Sequence, residues 1–118
     1  MTDFPAADWY YHWAPVSRRR SIEHSGLVPG RMSVANEWRP PYVCFSDSPW
    51  LASLLSVRVH PEIPDWDLWT AHISDVGAHE QIIDDRGPSV KEIRVYHRVH
   101  KSKLWYVATR SVPHGRIF

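Results

Sequence analysis

The sequence predicts an α+β domain, and three observations lead there. Aromatic and β-branched residues gather in short runs that suit strands, two segments carry helical starts and spacing, and ten prolines keep every element short. The order is strand, helix, strand, helix and then several strands, which fits helices segregated from a sheet better than a repeating βαβ pattern.

The first strand is expected over Asp8 to Trp13 (DWYYHW), where large flat side chains suit a half-buried pleated surface. Pro15 then offers a helix opening. Val16 to His24 carries Ile22 as its main apolar anchor and stops at Gly26, the residue expected just past a helix end. Leu27, Val28, Pro29 and Gly30 lead out of it, and Arg31 to Pro41 has no period and ends in Arg-Pro-Pro, which predicts a loop.

Tyr42 to Phe45 reads as a short strand. Ser48 followed by Pro49 supplies a cap and a first helical position, and Trp50, Leu51, Leu54 and Leu55 recur behind them at helical spacing, so a second helix is expected. Past Pro61 and Pro64, Leu68 to Ser74 alternates Trp69, Ala71 and Ile73 against Thr70 and His72, which is a strand pattern. Gly77 to Ser89 is polar, includes Asp84, Asp85 and Gly87, and predicts a loop. From Glu92 to Val99 a strand sets Ile93, Val95 and Val99 on one face and Glu92, Arg94, Tyr96 and Arg98 on the other. Lys103 to Thr109 (KLWYVAT) is expected as the closing strand, with Lys101-Ser102 in the connection.

With 118 residues the chain fits one domain, 1–118, large enough for a core without staples. Fourteen Lys and Arg against thirteen Asp and Glu leave a formal charge of +1, which gives no broad attraction to nucleic acid or to anionic membranes. Arg18, Arg19 and Arg20 form the one basic run; it reads as a solvated helix face, with phosphate binding as the alternative. The single cysteine, Cys44, has no internal disulfide partner and no second thiol for a zinc knuckle, which suits a reducing compartment. No apolar run has the length of a membrane span, and the first residues lack the basic-then-apolar order of a signal peptide, so a cytoplasmic protein without membrane contacts is expected.

The sequence has no P-loop, GxGxxG, GxSxG, HExxH or CxxC, which argues against several common enzyme classes. Its eight histidines share no recognised ligand spacing, so no metal is expected. Glu92 lies on an amphipathic strand. It reads either as a solvated carboxylate paired with Arg94, or as a carboxylate held beside a cleft to stabilise positive charge on a sugar. His12, inside the aromatic strand, poses the same choice between a structural and a functional role.

Three segments together resemble the ADP-ribosyltransferase superfamily, especially its His-Tyr-Glu branch of diphtheria-toxin and poly(ADP-ribose) polymerase type. Tyr10 to Gly30 (YYHWAPVSRRRSIEHSGLVPG) is similar to the family's opening strand ending at the triad His, followed by a helix and a Gly-Leu exit. Tyr42 to Ser56 (YVCFSDSPWLASLLS) resembles the strand and helix after the Tyr position. Glu92 to Val107 (EIRVYHRVHKSKLWYV) resembles the Glu-x-x-Val-Tyr strand, a short connection and a closing strand.

The resemblance implies split antiparallel sheets with two short helices, and an enzyme, a glycosyltransferase, that moves ADP-ribose from NAD to a protein or nucleic-acid acceptor. It further implies a divergent small member of bacterial or phage type. NAD is then a substrate and no metal is needed. His12 would donate a hydrogen bond to ribose hydroxyl groups, and Glu92 would bind the nicotinamide-ribose hydroxyl and offset positive charge at the anomeric carbon. Trp13 would present its backbone to nicotinamide where the family often has Gly. Cys44 stands where a ring would stack, with Tyr42 and Tyr96 as substitutes, and Ser46 completes the implied NAD-binding set. Two alternatives stay beside this one: an RNA 2'-phosphotransferase-like or NAD-hydrolysing enzyme, and a degenerate transferase fold that only binds a protein.

Overall fold

A computed structural model of the chain describes residues 8–30, 41–48, 62–84 and 90–111. These residues build a six-stranded sheet and one α-helix, which makes the domain a mixed α and β structure. The strands are β1 (Trp9–Pro15), β2 (Val43–Ser46), β3 (Asp65–His72), β4 (Glu80–Asp84), β5 (Val90–Val95) and β6 (Trp105–Ser111). They lie in the order β4-β5-β2-β1-β3-β6, and every pair is antiparallel. The helix, α1, spans Arg19–Ser25.

The first strand continues past Trp13 to Pro15, which lies opposite Trp66, so Pro15 ends the strand and is not a helix residue. Its φ of −54° and ψ of 142° keep it extended. A 3-10 turn over Val16–Arg18 follows, and only then α1. Ile22 is the buried anchor of α1. Gly26 ends it: its N–H bonds back to the Ile22 carbonyl at 2.8 Å, and its φ of 78° lies in the region that favours glycine. A Cβ at Gly26 would stand 2.1 Å from the Val99 carbonyl oxygen, so the close approach of the two backbones also requires glycine.

Several boundaries differ from expectation. The third strand starts at Asp65, not Leu68, and Ile73 and Ser74 belong to a 3-10 turn over Ile73–Asp75. The expected loop from Gly77 to Ser89 contains β4, paired with β5 from Glu80 opposite Arg94 to Asp84 opposite Val90. As an edge strand β4 needs only one apolar face at most, so its polar composition hid it. The strand expected over Glu92 to Val99 leaves the ladder after Val95, and Val99 pairs alone with Leu27. Lys103 falls in a 3-10 turn over Lys101–Lys103, and β6 begins at Trp105. The helix expected after Ser48 and most of the loop from Arg31 to Pro41 lie outside the described residues.

Both turns share one device. His72 and His100 each accept the backbone N–H two residues on, from Ser74 and Ser102, at 3.2 and 3.1 Å. Lys103 then meets Asp75 at 3.6 Å, which ties the two turns together.

The main core lies on one face of the sheet. Tyr10 and Ala14 of β1, Val43 and Phe45 of β2, Trp69 and Ala71 of β3, and Ile93 and Val95 of β5 meet Ile22, Leu27, Val76 and Val99 there. Burying a side chain the size of Phe45 contributes on the order of 2 kcal/mol. A smaller cluster on the other face joins Trp66 to Trp13 and Ile63.

One polar group is sealed into this frame. Asp67 has no exposed surface, and Arg19 of α1 grips it with two bonds of 2.7 and 2.8 Å while Thr109 of β6 donates a third at 2.6 Å. Of the basic run expected to form a solvated face, Arg19 is therefore bound, and it fastens α1 to β3. Among the described residues no helix is long and apolar enough to cross a membrane.

Candidate functional site

Every candidate residue sits on β1, β2 or β5, or just beyond their ends. The junction of β1 and β2 is unusual: Tyr11 opposite Ser46 is their one registered pair, whereas β1 and β3 are paired along their whole shared length. The sheet thus has two well-laddered parts, β4-β5-β2 and β1-β3-β6, joined by a short seam.

His12 follows that seam. Its Nδ1 lies 2.7 Å from the carbonyl oxygen of Cys44, and its ring centroid is 5.7 Å from that of Phe45. A carbonyl can only accept, so Nδ1 carries the proton and donates. A strand carbonyl points along the plane of its sheet, so the half-buried ring reaches across the gap between the two strands. Burial holds the His12 pKa below its ordinary value of 6.5 and the nearby Arg18 charge adds to this, while the bond to Cys44 opposes them. The ring is neutral at pH 7, and Nε2 is then an acceptor. In this tautomer Nε2 can accept a hydrogen bond and cannot donate one.

The lowered pKa sets a pH dependence. The unfolded ring takes up a proton as pH falls through about 6.5, and the folded ring does so only at lower pH. The unfolded state therefore binds more protons in that window, and stability falls as pH drops below about 6.5. Urea unfolding from neutral to mildly acidic pH should show a shallower decline for His12→Gln than for the parent chain; parallel profiles would contradict it.

Glu92 is opposite Ser46, and Cys44 is opposite Arg94. Directly opposed side chains share a face, so Cys44, Ser46, Glu92 and Arg94 all stand on the face away from the Phe45 core. Arg94 Nε donates to Glu92 Oε1 at 2.9 Å, and its second contact, to Oε2, is 3.5 Å. The Glu92 side chain keeps 27% of its surface exposed, so one carboxylate oxygen is firmly held and the other has room for a further donor. The pairing of Glu92 with Arg94 weighed from the sequence is present.

His12 shares the face of Tyr10 and Ala14 and stands opposite Trp69, so it lies on the core face of the sheet, whereas Glu92 lies on the other face, and the two meet only through Cys44. The Cys44 carbonyl receives His12, and its thiol faces Glu92. Although Cys44 is exposed as a residue, desolvation of the thiol followed by the Glu92 carboxylate pushes its pKa up to about 12, so it is a thiol and not a thiolate at neutral pH.

Around this pair the other candidates are distributed unevenly. Tyr42 lies under the Arg94 guanidinium, 4.7 Å from ring centroid to cation, and 5.9 Å from the Tyr96 ring. Tyr96 donates to Glu80 at 2.9 Å. Both aromatics therefore sit beside Arg94, as the shared face requires. Ser46 is buried and its hydroxyl accepts the Ser48 N–H at 3.1 Å, so it serves the turn after β2. Trp13 packs into the smaller cluster against Trp66.

Two features escaped sequence reasoning. Trp69, opposite His12 on β3, buries an indole N–H that has no hydrogen-bond acceptor among the described residues; the Tyr106 ring stands edge-on to the indole, with centroids 5.8 Å apart. Arg18 lies close enough to His12 to act on its protonation. Neither is visible without the pairing of β1 with β3 and the turn that follows β1. Among the described residues no group of three or more His, Cys, Asp or Glu is arranged to hold a metal ion.

Compared with known families, with curated proteins and with solved structures, the chain matches none.

Proposed function

We propose that the chain is an ADP-ribosyltransferase whose NAD site lies at the seam between β1 and β2. The observation that carries this reading is the double engagement of Cys44, which brings a neutral imidazole and a carboxylate to the two sides of one residue. The resemblance of the three segments that hold His12, Tyr42 and Glu92 supports it from the sequence.

The chemistry follows from the bond that breaks. When nicotinamide leaves the ribose, it takes the electron pair of the glycosidic bond and becomes neutral, and the anomeric carbon gains oxocarbenium character. An acceptor atom then bonds to that carbon and gives up its proton to solvent. Such a reaction needs a fixed ribose and negative charge near the anomeric carbon. His12 Nε2 accepts from a ribose hydroxyl. The less engaged oxygen of Glu92 accepts from the nicotinamide-ribose hydroxyl and offsets the growing positive charge, with Arg94 holding the carboxylate in place. Tyr42 and Tyr96 offer rings beside it in the position that Cys44 cannot fill.

A second reading, a fold that only binds a protein partner, is favoured by the Arg94–Glu92 pair, because a carboxylate occupied by its own chain resembles a retired one. One assay separates them. Incubated with NAD labelled in its adenylate half and with protein or nucleic-acid acceptors, the transferase moves label to an acceptor and releases nicotinamide. Nicotinamide release without labelled acceptor points to a hydrolase. The absence of both, with no NAD-induced rise in melting temperature, points to the binding fold.

A further inference from the structure

We propose that Arg18 is the residue that grips the diphosphate of NAD; the inference rests on the NAD site described above and extends it to a second part of the dinucleotide. The three arginines of the basic run have separate surroundings. Arg19 is bound to Asp67, Arg20 is exposed on α1, and Arg18 ends the 3-10 turn that leaves β1 three residues after His12. Arg18 is exposed and has neither an ion pair nor a side-chain hydrogen bond among the described residues.

Its position is constrained from two sides. One guanidinium nitrogen lies 4.0 Å from the point where a Cβ on Gly30 would be. Gly30 bridges Tyr42, the residue just before β2, so this places the guanidinium by the entrance to that strand. On the other side Arg18 is near His12, where its charge, after the larger effect of burial, helps keep the imidazole neutral.

A guanidinium with no partner among the described residues, within electrostatic reach of a neutral imidazole, is suited to an anion that continues from a hydroxyl-bearing group. In NAD the diphosphate is joined to each ribose through one carbon. A ribose hydroxyl on His12 Nε2 therefore brings the phosphate oxygens into the neighbourhood of Arg18, where a guanidinium makes paired bonds that a point charge does not.

Calorimetric titration of NAD and of ADP into the parent chain, Arg18→Gln and Arg20→Gln tests this. Loss of one charge-assisted contact predicts binding weaker by about tenfold to a hundredfold for Arg18→Gln with both ligands. Arg20→Gln should bind like the parent chain. Arg18→Lys, which keeps the charge and loses the fork, should fall between the two, and it serves as the second variant if Arg18→Gln melts early. Parent-like binding by Arg18→Gln, or equal weakening by Arg18→Gln and Arg20→Gln, overturns the role of Arg18 and leaves the NAD site standing. A parent chain that binds neither ligand overturns the NAD site and this inference with it.

Discussion

Glu92→Gln should lower the rate of ADP-ribose transfer by at least about a hundredfold, the size expected when one preorganised electrostatic contact to a developing charge is removed. The amide keeps the shape of the side chain and one acceptor for Arg94, so the fold should survive. The Glu92 side chain is partly exposed but its partner Arg94 is buried, so loss of the charge should cost about 1 to 2 kcal/mol. The informative comparison is NAD affinity against turnover: affinity should change little and the rate should collapse, because the carboxylate acts most strongly once the glycosidic bond is breaking. A variant that turns over like the parent chain would remove Glu92 from the reaction.

The largest stability effect should come from Asp67→Ala. Asp67 is wholly buried and receives two bonds from Arg19 and one from Thr109, so the change deletes three contacts at once. Arg19 is 41% exposed at its side chain and can rehydrate, which limits the damage. A loss of about 3 kcal/mol is expected, with a fall in melting temperature on the order of 10 °C. Asp65→Ala is the control. Asp65 lies two residues earlier on β3, is exposed, and among the described residues accepts from the Ser111 hydroxyl across the same strand pair, so its loss should cost about 1 kcal/mol or less. Equal losses for the two variants would contradict an anchoring role for the buried carboxylate. The Arg19 guanidinium also holds the Asp67 carboxyl below the usual carboxylate range, so this contribution is present above the unfolded value of 3.8 and lost as pH falls through the lower folded value.

How far the sequence was legible depended on whether a feature was local. Gly26 after Ile22 marked the end of α1 because a helix stop is written within a few residues. The alternation from Glu92 onward placed Ile93 and Val95 in the core for the same reason. β4 was lost because an edge strand tolerates Glu80 and Gln81, which look like loop residues when no partner strand is in view. Asp67 and Arg19 were not legible as a pair: 48 residues separate them, and only the placement of β3 beside β1 makes them neighbours.

The candidate site was legible in its principal residues and not in their states. His12 and Glu92 stood out by type and by segment, but nothing local told that a Cys44 carbonyl would fix the His12 tautomer. Ser46 was drawn in by its neighbours' pattern, yet its hydroxyl closes the turn that follows β2. The arginine run read as one surface because charge spacing says little about direction. The turn after β1 leaves the Arg18 guanidinium by Gly30, within electrostatic reach of His12, and brings Arg19 onto Asp67.

The location of the NAD site is best tested by following backbone amide resonances while NAD is titrated into the intact chain. A site at the seam predicts that Tyr11, His12, Cys44 and Glu92 shift together and saturate with one affinity, since they belong to both laddered parts of the sheet. Shifts confined to other strands, or a spectrum unchanged at high NAD, would contradict it.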